Sequence, residues 1–194
     1  PEVHRYISRM GLHGLDDLAL PILLALVQNA SILLVGRHGS GKTTLAHRLS
    51  RALDLRFRGY DASKTPFEDV LGFIDPASLS EGKARYVPTP LTAQGAGLVF
   101  IDELSRGEPA MLNHFLELIF ERRLLGEPLP DLRYVAAGMN PTSYLGTSEL
   151  DPALVGRFDI VLEVPTFAAL SAEDQRSATE AAIGLTDGPG FGPL

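Results

Sequence analysis

The chain has no cysteine and no tryptophan among its 194 residues. Without cysteine there is no disulfide framework and no thiolate metal site, which suits a reducing compartment and points to a cytoplasmic setting. No apolar run approaches the ~20 residues that a membrane-spanning helix needs, and the N-terminus shows no signal-peptide layout. Positive charge is scarce as well: 17 Lys and Arg stand against 24 Asp and Glu, a formal net charge of -7. That balance argues against a surface holding nucleic acid by bulk electrostatics and leaves only a local basic groove open. With 45% hydrophobic residues, a chain of this length supports one sizeable core and one main domain.

What is present alternates between short apolar runs and helical patterns. The segment 15–28 (LDDLALPILLALVQ) reads as a helix, with Pro21 either kinking it or sitting near its first turn. ILLVG at 32–36 reads as a short buried strand. A helix over 42–53, a weaker strand over 55–61 and a short helix over 66–71 follow. Further strands are expected at 98–101, 134–137 and 159–164, with a helix over 108–120 between the first two. Strands spaced by helices of this length predict an α/β fold built on a mostly parallel five-stranded sheet covered on both faces. The tail from Thr186 (TDGPGFGPL) is rich in Gly and Pro and reads as loop.

The strongest chemical signal is GRHGSGKT at 36–43, which leaves the first strand and enters a helix. Glycines there let the backbone curl until successive N–H groups point inward at phosphate oxygens, and the helix N-terminus aims its positive end at the same place. Gly36, Arg37, His38, Gly39, Ser40, Gly41, Lys42, Thr43 and Thr44 are the candidate nucleotide-binding residues. Lys42 is suited to reach the β- and γ-phosphates, and the Thr43 hydroxyl to ligate Mg2+. His38 reads as one of the free positions of the loop.

A second signal, LVFIDELSR at 98–106, sets two adjacent carboxylates at the end of an apolar run. Adjacent negative charges repel and resist burial, so something nearby must want both. Alone, the pair reads as two solvated acids. About sixty residues after a phosphate loop, at a strand's carboxyl end where parallel sheets place their ligands, it reads otherwise. Asp102 is placed to hold Mg2+, directly or through water, and Glu103 to orient and polarise the water that attacks the γ-phosphorus.

These segments resemble a known family. GRHGSGKT resembles a Walker A motif and LVFIDE a Walker B motif. VAAGMNP at 135–141 is similar to a sensor 1 strand, with Asn140 as the sensing amide. LDPALVGRFD at 150–159 resembles the stretch that carries an arginine finger, with Arg157 in that role. Four motifs in this order resemble the AAA+ ATPases over residues from about 11 to 165. The resemblance implies a P-loop NTPase three-layer sandwich, hydrolysis of ATP with Mg2+, and assembly into a homo-oligomeric ring, usually a hexamer. Asn140 could then hold the attacking water or a γ-phosphate oxygen. Because Lys42 and Mg2+ occupy one side of the phosphates, Arg157 would serve a neighbouring subunit's site. Residues 10–14 (MGLHG) lie where such proteins contact the adenine base.

Two segments are similar to the MoxR-type branch. DVLGFIDPASLSEGKARYVPTPLTA at 69–93 resembles its insert within helix 2, followed by a GPL-like turn that here reads TPL. LELIFERRLLGEPLPDLRY at 116–134 resembles its helix and pre-sensor hairpin, and DELSR is close to the DEINR form found there. That branch implies a chaperone-like role on a protein client, often with an adaptor carrying a von Willebrand A domain. Residues 1–165 are the expected nucleotide-binding core. Residues 166–194 are enough for about one helix, so the helical lid of the family is expected to be largely absent or truncated. Arg176, in that helix, is poorly placed for a second sensor. Arg106 could pair with an acid in its own chain or reach across a subunit boundary. A nucleotide-dependent switch with little hydrolysis and a helicase-like nucleic-acid motor are the alternative functions. The acidic balance weighs against the motor.

Overall fold

The computed structural model describes residues 5–141 and 152–183. Elements follow in the order α1 (Ala19–Gln28), β1 (Ile32–Val35), α2 (Lys42–Ala52), β2 (Phe57–Asp61), α3 (Phe67–Leu71), β3 (Phe73–Ile74), α4 (Pro76–Ser80) and β4 (Tyr86–Val87). Then come β5 (Leu98–Asp102), α5 (Pro109–Glu121), β6 (Arg123–Leu124), β7 (Glu127–Pro128), β8 (Tyr134–Met139), α6 (Pro152–Val155), β9 (Ile160–Glu163) and α7 (Ala172–Ala182). The first expected helix begins later than its sequence pattern, because a 3-10 turn at Asp16–Leu18 precedes it. Pro21 falls in the first turn of α1, where a missing N–H breaks no helical hydrogen bond.

Five strands form one sheet in the order β2-β5-β8-β1-β9, and all four neighbouring pairs are parallel. This is the α/β, P-loop NTPase architecture that the motifs imply. Side chains of period two send the strands' apolar groups to opposite faces. Leu33, Val99, Ile101, Val135 and Ala137 join α3 and α5 in one core. Ile32, Leu34, Leu98, Phe100 and Leu162 join α1 and α2 in the other. Three layers result, and a strand buried on both faces explains why the sequence shows continuous apolar runs rather than alternation. Phe100, Ile101, Leu33 and Phe115 are fully buried, each worth about 1.5–3 kcal/mol relative to exposure.

Parallel pairing has one consequence that matters for everything downstream. All five strands end on the same edge, so the segments after β1, β2, β5, β8 and β9 converge. The register pairs Val35 with Met139 and Asp61 with Asp102. Both β5 and β8 run beyond their expected ends, to Asp102 and Met139. That extension brings their following residues level with the loop after β1.

Two short antiparallel pairs lie outside the sheet. β3 and β4 pair Phe73 with Val87 and Ile74 with Tyr86, closing an excursion whose α4 is capped by Asp75 accepting from the Ala77 N–H at 3.0 Å. β6 and β7 form a hairpin turning at Leu125 (φ 53°) and Gly126 (φ 78°), the positive pair that a two-residue hairpin turn needs. Leucine is strained there, and Glu117 on α5 offsets it by accepting from both turn N–H groups, at 3.0 and 2.6 Å.

The opposite, N-terminal edge of the sheet is tied by Asp159 and Ser31. The Asp159 carboxylate accepts from the Ser31 N–H and hydroxyl, each at 2.7 Å, and Ser31 Oγ accepts from the Asp159 N–H at 3.2 Å. The backbone hydrogen bond from Ser31, then its hydroxyl, hold the Asp159 pKa below its ordinary 3.8. A depressed folded-state pKa stabilises the fold above the unfolded value, and that stability is lost as pH falls through the folded value. Asp159→Asn should therefore lower the urea midpoint at pH 7, and the gap to wild type should close below about pH 4. Equal midpoints for the two proteins at pH 7 would contradict this. Urea titrations of both at pH 7, 5 and 3 decide it.

Candidate functional site

The loop from Gly36 to Gly41 joins β1 to α2. Gly39 and Gly41 have φ of 77° and 89°, and nothing lies within 4 Å of where a Cβ would stand on either. That left-handed backbone leaves an open cradle of N–H groups at the start of an 11-residue helix. Ser40 Oγ is buried with no hydrogen-bond partner, a donor waiting for an acceptor. Arg37, His38 and Gly39 are exposed on the outer curve of the loop, as are Thr43 and Thr44 on the first turn of α2.

Lys42 is only 5% exposed. Its ammonium donates to the carbonyls of Gly36 at 2.7 Å and Arg37 at 3.1 Å. Burial lowers its pKa, while the charges of Asp102 and Glu103 act in the opposite direction. The two adjacent carboxylates have this cation's charge nearby and separate hydrogen-bond partners of their own. Asp102 Oδ2 accepts from the Thr43 hydroxyl at 2.7 Å, and its Oδ1 accepts from the Glu103 N–H at 2.9 Å. Glu103 itself takes a left-handed backbone (φ 52°, ψ 37°). Such a conformation costs a non-glycine residue about 1–2 kcal/mol. It accompanies a turn in which the Glu103 carboxylate reaches the end of β8. There both carboxylate oxygens accept from Asn140 Nδ2, at 3.0 and 3.1 Å.

Asn140 is 3% exposed, and its Oδ1 is buried without a donor. A buried amide oxygen of this kind is costly unless something donates to it, and a water O–H fits that need. Arg106 pairs with Glu103 itself, Nε to Oε2 at 3.3 Å; of the two possibilities raised by the sequence, it takes the partner in its own chain.

The donor set fits a hydrated divalent cation held beside phosphates. Thr43 and Asp102 offer two hard oxygens 2.7 Å apart. Among the described residues no cluster of three or more His, Cys, Asp or Glu could cage a metal. Mg2+ commonly keeps its waters and takes phosphate oxygens with only one or two protein ligands. On the far side of the loop, a cavity of about 190 Å³ is lined by Gly11 and His13, Gly41 and Thr44, and Phe167 and Ala178. The 10–14 segment therefore borders the phosphate loop, and α7 faces the same cavity. Arg176 is exposed on α7. It lies two residues, roughly 200°, round the helix from Ala178.

Arg157 is elsewhere. It precedes β9, at the N-terminal edge of the sheet, and its guanidinium lies 4.6 Å from the centroid of the Phe120 ring. Phe120 is near the C-terminal end of α5, whose first turn follows the Glu103–Arg106 segment. Eleven helical residues, about 17 Å of rise, separate Phe120 from that end. The structure thus brings Lys42, Thr43, Asp102, Glu103 and Asn140 together and leaves Arg157 out of reach of them.

Comparison with known proteins agrees with this geometry. Residues 31–158 match the family model described as AAA domain, dynein-related subfamily. The chain belongs to that family. Its members are nucleotide-binding ATPase modules, and this chain is one such module. No curated protein sequence matches it. Among solved structures it resembles a candidate ATPase from Cytophaga hutchinsonii, at 22% identity and TM-score 0.68 over 93% of this chain and 55% of that one. It also resembles the RuvB Holliday junction branch migration motor of Thermotoga maritima, at 22% identity and TM-score 0.53 over 88% of this chain and 49% of that one. NtrX from Brucella abortus is similar at 19% identity and TM-score 0.59, over 93% of this chain and 43% of that one. At these identities the likeness concerns the fold, and the chain spans about half the length of each of these proteins. Among the described residues, no helix is long and apolar enough to cross a membrane.

Gly138 contributes to the site although it is not among the site residues named above. A Cβ on Gly138, inside β8, would stand 2.7 Å from Asp102 Oδ1 and 3.3 Å from Lys42 Cε. A glycine interrupting an apolar strand is the available signal, since it marks close approach by another group. Because the same Cβ would also stand 2.8 Å from the buried Phe100 ring, Gly138→Ala should cost some stability as well as push Asp102 away from Thr43, cutting Mg-dependent nucleotide affinity by about tenfold. Titration of a fluorescent ATP analogue with and without Mg2+ reads this. Unchanged Mg-dependent affinity would show that the contact is harmless.

Proposed function

We propose that this module binds Mg·ATP at the C-terminal edge of the sheet and hydrolyses it, with Arg157 completing the site of a neighbouring subunit. The observation that carries the reading is the joint placement of Thr43 with Asp102 (2.7 Å) and Asn140 with Glu103 (3.0 Å) around buried Lys42. In this reading the Lys42 ammonium leaves the Gly36 and Arg37 carbonyls for the β- and γ-phosphate oxygens. Thr43 Oγ1 and Asp102 would hold Mg2+, which when bound would offset the negative charge that develops on the phosphates. Asn140 Oδ1 accepts from the attacking water, and the Glu103 carboxylate accepts its proton as the new O–P bond forms and the bond from the γ-phosphorus to the bridging oxygen breaks, ADP leaving with that electron pair. Ser40 and the loop N–H groups hold the phosphates in line.

Arg157 supports a ring. An arginine whose own site is a sheet's length away can reach γ-phosphate charge only on another copy, and head-to-tail contacts of this kind form a ring when their rotation closes. A hexamer is the expected size. The MoxR-type assignment is supported by the β3–α4–β4 excursion and the β6–β7 hairpin, which stand where that branch carries its insert and pre-sensor hairpin. The excursion exposes Phe73, Ile74, Leu79 and Val87, apolar surface suited to a protein client. Remodelling such a client, with or without a von Willebrand A-domain adaptor, is the activity proposed. The formal charge of -7 continues to weigh against a nucleic-acid motor.

Glu103→Gln removes the proton acceptor but keeps the shape and the Asn140 contact. It should leave Mg·ATP affinity within about threefold of wild type while turnover falls by at least about a hundredfold. Phosphate release and nucleotide titration on the same preparation measure both. Wild-type turnover in the variant would exclude Glu103 as the base. Wild-type protein that binds ATP tightly and never releases phosphate would favour the switch reading instead.

A further inference from the structure

The guanidinium of Arg157 is held by an aromatic partner. It is exposed, yet it is not loose. Its Cζ lies over the Phe120 ring, 4.6 Å from the centroid. The Phe120 ring is itself fixed, meeting Phe158 edge-on with centroids 5.3 Å apart and planes at 64°. Phe158 is 6% exposed and belongs to the main core beneath α5. The backbone is held too, by the Arg157 N–H donating to the Leu154 carbonyl at 3.1 Å and the Phe158 N–H to the Val155 carbonyl at 3.2 Å.

We propose that Phe120 is a positioning residue for Arg157: its ring is a platform that holds the guanidinium extended for the active site of the adjacent subunit. This rests on the reading above that Arg157 acts across a subunit boundary. The choice of an aromatic partner matters chemically. A carboxylate would satisfy the N–H donors of the guanidinium and neutralise its charge, leaving little to offer a phosphoryl group. A ring face takes the flat side of the cation by its quadrupole and uses none of the five donors. Among the described residues no carboxylate forms an ion pair with Arg157. An arginine is a long, flexible side chain, and fixing it before the partner arrives removes part of the ordering entropy that assembly of the split site would otherwise cost. Phe120 and Phe158 thus perform for Arg157 what Asn140 performs for Glu103, but at the opposite end of α5.

The test uses Phe120→Leu, which keeps apolar volume and loses the ring face, and Phe120→Tyr, which keeps both. Phe120→Leu should bind Mg·ATP as wild type does and show an unchanged KM, with kcat down about three- to fivefold. Phe120→Tyr should restore kcat. Mixing gives the decisive readout. Phe120→Leu mixed with Glu103→Gln should regain turnover per Phe120→Leu subunit, because each partner supplies what the other lacks. Phe120→Leu mixed with Arg157→Ala should regain none. Wild-type kcat in Phe120→Leu, recovery in the second mixture, or loss of ATP affinity in Phe120→Leu would each overturn the proposal and leave the ring as packing. Wild-type turnover by Arg157→Ala would sink the cross-subunit reading itself, and Phe120 as its positioning residue with it.

Discussion

A buried ammonium facing two adjacent carboxylates is the constraint on which the site depends. Lys42 is desolvated at the C-terminal edge of the sheet, and the charges of Asp102 and Glu103 act against that desolvation. An isolated buried ammonium costs several kcal/mol, and the Gly36 and Arg37 carbonyls together with the two carboxylate charges offset that cost. Held together, they leave a site with fixed charges and few internal partners left over. Two of the leftover atoms, Ser40 Oγ and Asn140 Oδ1, are buried and unsatisfied. The loop is therefore stable enough to persist and incomplete enough to bind. Sites that act by electrostatic preorganisation share that property.

The sheet distributes the remaining work between its two edges. Parallel strands gather the ends of β1, β5 and β8 at one edge, and the same pairing forces the segment before β9 to the other. Arg157 cannot be moved to the phosphate edge without reversing β9. Helix α5 links the two regions as one rigid element, with the turn after Glu103 at its start and Phe120 near its end. A module built this way has a phosphate-facing side and a cation-presenting side. That polarity suits head-to-tail association.

Much of this was legible in the sequence, for identifiable reasons. The phosphate loop is local: eight consecutive residues and the strand and helix around them carry its geometry. The five sheet strands were visible because burial on both faces writes them as apolar runs. Asn140 was legible only through resemblance, since an Asn-Pro pair fits any turn; its contact with Glu103 depends on the register of β5 with β8. The pairs β3–β4 and β6–β7 have two residues per strand, too few for a period, and were expected only through the resemblance, as an insert and a hairpin. Gly138 was missed because its role is to be small beside Asp102 and Lys42, which belong to other elements. The left-handed turn of Glu103 left no trace, as glutamate carries no turn signal. Residues 150–151 at the start of the Arg157 motif lie outside the described residues, whereas Arg157 and its ring partner are within them.

The central claim is that the active site is divided between two copies of the chain. It is tested most directly by measuring Mg·ATP turnover per subunit across a wide range of protein concentration, for wild type and Arg157→Ala. The account predicts that specific activity of wild type climbs as subunits associate, while the variant binds ATP normally and stays flat at a low value. Wild-type activity independent of concentration down to the monomer, or a variant that climbs in parallel, would contradict it.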